Sequence, residues 1–192
     1  MSTDTREDQR YVRNKKTSID HSYINSGEYR RKFDNISDDK KLNRLVYQVA
    51  KQMLNHRAGS MYEDMYWIDI DTLKIIAKET TQKEESKIIY SADTKKAIKR
   101  YNNILSIHTH PSSMPPSIDD FNSSYNNKYS ISLVCCHDGK LYMYKSYKYF
   151  FKFFHNGTIR KYITKGYDEF DAQIFALNEL QESGCISYKE VL

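Results

Sequence analysis

Apolar side chains recur at helical spacing between residues 42 and 54, where Leu42, Leu45, Val46, Val49, Met53 and Leu54 share one face. Ser37 is placed to cap this helix, and Asp38 and Asp39 suit the positive end of its dipole. The helix should stop near Arg57, because Gly59 follows as a breaker. From Met65 the period changes. The segments MYWIDI and LKIIAKE are short and rich in β-branched and aromatic residues, with Asp71 and Thr72 at the turn of a hairpin. KIIYS at 87–91 predicts a further strand, and 92–101 a helix that starts near Ser91 or Asp93. NILSIHT predicts a strand that ends in two histidines. A helix capped by Ser117 runs to about Asn126. SISLVCC and KLYMYKSY then form two strands joined by a tight turn at His137-Asp138-Gly139-Lys140. The last helix spans about 167–182, with Phe170, Ile174, Phe175, Leu177 and Leu180 as its stripe and Gly184 at its end. This order predicts an α/β fold with a mixed, mostly antiparallel sheet flanked by helices, in one domain over 37–192. Residues 1–36 read as a flexible polar arm. Its one structured piece would be a short helix in SGEYRRKFDNIS, anchored by Tyr29 and Phe33.

Composition adds little to this pattern. Hydrophobic residues make up 39% of the 192, low enough to leave part of the chain outside a core. The net charge of +5 comes from 30 basic and 25 acidic side chains, too small a surplus to indicate a nucleic-acid partner. Three cysteines, two of them adjacent, do not make a disulfide framework and read as reduced thiols of a cytoplasmic protein. The first residues, MSTDTREDQR, do not resemble a signal peptide, and no segment approaches the apolar length of a membrane span. No membrane partner and no specific nucleic acid are expected.

The chemistry concentrates in residues 107–121. His108 and His110, two apart on a strand, project to the same face and bring two imidazoles to one point. Pro111 ends the strand, Pro115 and Pro116 stiffen the return loop, and Ser117 opens a helix. Asp120 lies three residues on, on the same side of the first turn as Ser117. Two neutral imidazoles and one carboxylate are a usual catalytic zinc set with a position left for water. Glu63, just before the first strand, is the upstream candidate for a general base.

The string His108-Thr-His110-Pro, followed by Ser117-x-x-Asp120, resembles the JAMM motif of the JAB/MPN metallopeptidases over about residues 40–150. The resemblance implies that family's cytidine-deaminase-like layering and a zinc-dependent peptidase or isopeptidase. It implies His108, His110 and Asp120 as ligands of Zn2+, Glu63 as general acid and base, and Ser117 as the group that steadies the oxyanion and the water. Protein or peptide substrates, ubiquitin-like ones included, follow from the same resemblance. The loop before Ser117 is one residue shorter than the family's spacing. Keeping the Ser-x-x-Asp spacing selects Asp120, whereas keeping the distance from His110 selects Phe121, which cannot bind a metal. Asp119 points about 100° away around the helix.

Plainer readings stand beside these. Ser117 serves equally as a simple helix cap. Glu79, Glu84 and Glu85 compete with Glu63 on position. Cys135-Cys136-His137 suggests a second metal, but adjacent strand residues face opposite ways. A catalytically silent binding or scaffold module on the same fold is the alternative function. A phosphoesterase or deaminase is a third, although the Pro-Cys-x-x-Cys of zinc deaminases is missing. The Lys, Asn, Ile and Tyr bias suggests a bacterial or mobile-element setting, where relatives of this domain are processing, phage or toxin proteins.

Overall fold

The computed structural model describes residues 17–85 and 87–192. Two short helices come first, α1 (His21–Ile24) and α2 (Gly27–Phe33), then a long one, α3 (Lys40–Arg57). There follow β1 (Met65–Asp69), β2 (Lys74–Glu79), α4 (Ala92–Ile98), β3 (Ile104–His110), α5 (Ile118–Asn127), β4 (Ile131–Cys136) and β5 (Leu141–Ser146). Helices α6 (Lys152–Thr164) and α7 (Glu169–Glu182) precede a last strand, β6 (Ile186–Glu190).

The six strands form one sheet in the order β2-β1-β3-β4-β5-β6. Every neighbouring pair is antiparallel except β3 and β4, which run parallel because α5 crosses between them. The chain is therefore α/β with a mixed, mostly antiparallel sheet flanked by helices. Strand alternation sorts the core onto the two faces. Tyr66, Ile68, Leu105, Ile107, Leu133 and Cys135 pack with α3 and the two short helices. Val134, Cys136, Tyr142 and Tyr144 pack with Phe121 of α5 and Leu177 of α7 on the other face.

The arm expected over 1–36 is corrected where it can be seen. Residues 17–36 are folded onto the sheet: Ile24, Tyr29 and Phe33 are buried in the α3-side core, and the Tyr47 hydroxyl donates to the Ile24 carbonyl at 3.1 Å. Residues 1–16 lie outside the described residues. Ser37 does not cap α3. Asp39 does, accepting from the N–H groups of Lys41 and Leu42, while the Ser37 hydroxyl bonds Asn43 at 2.9 Å. Residues 87–90 form no strand: the Gln82 amide oxygen, rather than a neighbouring strand, takes the Ile89 N–H. Helix α6 and strand β6 are additions to the expected order. The tight turn at 137–140 is present, with Gly139 at φ 87, where a side chain would meet the Tyr23 ring at 2.5 Å. Among the described residues no helix is long and apolar enough to cross a membrane.

Candidate metal centre

Strand β3 is paired on both sides and its seven residues are all buried, which fixes its side chains rigidly. His108 and His110 leave it on the same face, their rings 4.8 Å apart at 73° and their Nε2 atoms 3.1 Å apart. His110 Nδ1 donates to the Met114 carbonyl at 2.8 Å, which turns Nε2 toward His108. The loop that supplies that carbonyl folds back through Ser113, whose φ is 57 and whose N–H reaches the His110 carbonyl at 3.2 Å.

Helix α5 delivers the carboxylate. Ser117 and Asp120 form a capping box, in which the Ser117 N–H and hydroxyl both donate to Asp120 Oδ2 at 2.7 Å. This seats the carboxylate at the positive end of the helix, with Oδ1 3.2 Å from His108 Nε2 and Oδ2 3.5 Å from His110 Nε2. All three donors lie within 4.8 Å of one another. Ligands about 2.0–2.1 Å from a tetrahedral ion stand about 3.3 Å apart, close to the spacings present here. The residues fit a metal ion.

The electrostatics agree with that fit. Burial disfavours the His110 cation, but the Asp120 hydrogen bond and the nearby Glu63 and Asp120 charges outweigh it, pushing the pKa up to about 9. Burial likewise opposes the Asp120 anion, yet His108 and His110 hold its carboxyl well below the ordinary range. The cluster is thus a place where positive charge is strongly favoured, and a cation entering it displaces a proton.

The register places Glu63. Met65 pairs with His108, so continuing the ladder back by two residues sets Glu63 beside His110 on the same face. Asp64 is locked in between. It exchanges bonds with Thr109, its N–H donating to the Thr109 hydroxyl and its carbonyl accepting from the Thr109 N–H, both 3.0 Å. Its carboxylate is gripped by Arg57 at 2.5 Å and His56 at 2.8 Å from the end of α3. The chain around Glu63 is therefore anchored to the residue between the two histidines. Glu63 and all three metal-site residues line a cavity of 260 Å³.

The competing carboxylates lie elsewhere. None of the three glutamates lines the cavity: Glu79 accepts from Thr94 and from the Ser91 N–H, Glu84 pairs with Lys87, and the Glu85 backbone forms a β-bridge with Tyr62. Asp119 sits on the rim of the cavity, paired with Lys152 at 2.6 Å. Ser117 also lines the cavity, but its hydroxyl proton goes to Asp120. Cys135 and Cys136 do face opposite sides, and among the described residues His108, His110 and Asp120 form the one group fit for a metal.

Sequence reasoning missed Met65, Lys87, Ile88, Tyr90, Ser112, Ser123 and Tyr144, which complete the walls. Tyr144 stands edge-on to His108 at 6.4 Å and packs on Phe121 at 5.2 Å. Its inward side of β5 was the one available signal. The chain matches no family model, no curated protein and no solved structure. The site presents two imidazoles and two carboxylates around one small cavity.

Proposed function

We propose that the protein is a zinc-dependent hydrolase of amide bonds, acting on a peptide or on an isopeptide-linked protein such as a ubiquitin-like chain. The observation that carries this reading is that His108, His110 and Asp120 converge while Glu63 lines the same cavity. The resemblance of the His-x-His-Pro and Ser-x-x-Asp string to JAB/MPN metallopeptidases supports it.

His108 and His110 would hold Zn2+ through Nε2, and Asp120 through the oxygen that Ser117 leaves open. A zinc ion bound so supplies Lewis acidity and brings the pKa of water to about 7. Glu63 takes a proton from the attacking water and returns it to the leaving amine, splitting the amide into acid and amine with one water consumed. Ser117 holds Asp120, and the Met114 carbonyl holds His110.

A silent metal-holding scaffold is the second reading, favoured by the size of the cavity, since 260 Å³ falls below the roughly 300–1,000 Å³ usual for ligand pockets. The zinc-loaded chain, assayed on a panel of peptide and isopeptide fusions, separates the two. Cleavage that stops on chelation and returns with zinc is expected. A fully loaded protein that cleaves none of the panel contradicts the hydrolase and leaves the scaffold.

A further inference from the structure

Residues 140–167 carry seven Lys or Arg and no Asp or Glu, whereas the other 164 residues hold 23 basic and 25 acidic side chains. The positive surplus of the sequence thus falls in one stretch, covering β5, its following loop and α6; Lys140, Lys152 and Lys161 are paired with Asp138, Asp119 and Glu179 from outside it, which leaves Lys145, Lys148, Arg160 and Lys165 to carry the surface charge. The same stretch holds ten aromatic residues. Phe151, Phe153 and Phe154 are 66%, 80% and 71% exposed, and Tyr147 and Tyr149 beside them are 56% and 49% exposed. Adjacent phenylalanines this open are costly in water unless something covers them.

The knob is firmly based. Asn122 of α5 brackets Phe150, giving its amide to the Phe150 carbonyl at 2.9 Å and taking the Phe150 N–H at 2.8 Å. Helix α6 is held to α7 through Tyr162, which stacks on Phe175 at 5.1 Å. Lys145 and Lys148 lie exposed within the aromatic run, and Arg160 and Lys165 lie exposed further along α6.

We propose that this surface docks on a membrane leaflet rich in anionic phospholipids. Phenylalanine has no polar atom to hydrogen-bond a base, and rings this exposed with Lys145 and Lys148 beside them match an apolar phase edged by anionic headgroups. Tyrosines at the flanks suit the interface, where one end of the ring is wet. The lysines meet the anionic headgroups. A single-stranded nucleic acid needs open ring faces for stacking. Here the rings are turned edge to face on one another, Tyr149 to Phe151 at 83° and Phe153 to Phe154 at 78°. The proposal does not rest on the metal centre, although the Lys152–Asp119 pair places the patch at the rim of that cavity.

The test is sedimentation of the full chain with phosphatidylcholine vesicles, with and without phosphatidylserine. Binding to the anionic vesicles should exceed binding to neutral ones by about tenfold or more and weaken with salt. Phe153→Ser with Phe154→Ser should reduce partitioning by about tenfold or more. Lys145→Gln with Lys148→Gln should remove the preference for phosphatidylserine. Unchanged near-ultraviolet dichroism would show that both variants remain folded. No binding to anionic vesicles, or equal binding by the phenylalanine variant, would overturn the proposal. So would a solution dimer that the phenylalanine variant dissociates, or tight binding of oligothymidine in place of vesicles.

Discussion

The Ser117 hydroxyl donates to Asp120 Oδ2 across 2.7 Å, and the Asp120 N–H returns a bond to the same hydroxyl oxygen at 3.3 Å. One side chain thus starts helix α5 and aims a metal-site carboxylate. Ser117→Ala should cost about 1 kcal/mol of stability through the lost cap. It should also weaken zinc binding by roughly 10- to 100-fold, the usual cost of removing a partner behind a ligand. Denaturant midpoints and competition with a chelating dye measure the two effects. A variant that loses stability but keeps its zinc affinity would limit Ser117 to capping.

Glu63 is placed to move a proton without being needed to hold the ion. Glu63→Gln should therefore keep its zinc and lose hydrolysis by about 10²-fold or more. Turnover at the parent rate with full zinc content would remove Glu63 from the proposed mechanism.

Acid should charge a buried histidine outside the metal centre, His155. Burial keeps His155 neutral and lowers its pKa from 6.5 to about 4, and its Nδ1 is buried without a hydrogen-bond partner among the described residues. The unfolded chain takes up this proton near pH 6.5, while the folded chain resists it until about pH 4. Stability is thus full above pH 6.5 and falls as pH drops toward 4, by about 3 kcal/mol in all. His155→Leu should flatten that part of the profile in urea unfolding from pH 7 to pH 4. Parallel profiles for parent and variant would show that His155 is already charged in the fold.

Periodicity carried most of the fold. The stripe of α3 is visible because that helix buries one face, whereas β1 and β3 are buried throughout and show as short β-branched and aromatic runs whose side chains alternate between two covered faces. The same alternation placed His108 and His110 together, and the Ser-x-x-Asp spacing selected Asp120 over Asp119. Helix α6 was not legible because His155 is its one fully buried side chain, so it shows no apolar stripe. Strand β6 reads ISYKE, mostly exposed at the sheet edge, and its register with β5 depends on residues far away in sequence. Ile88 and Ile89 suggested a strand at 87–91, yet that segment gains its order from Gln82 and from the cavity wall. Lys87 and Tyr90 come to the site from one segment and Tyr144 from another, both distant in sequence from the histidines, so no local pattern marks them.

The central claim is that His108, His110 and Asp120 bind a single ion. Zinc content per chain, measured by mass spectrometry of elements after loading and dialysis, tests it most directly for the parent and His110→Ala. One zinc per parent chain and essentially none in a folded His110→Ala chain is the expected result. Equal zinc in the two proteins, or a folded parent that retains no divalent ion, would contradict it.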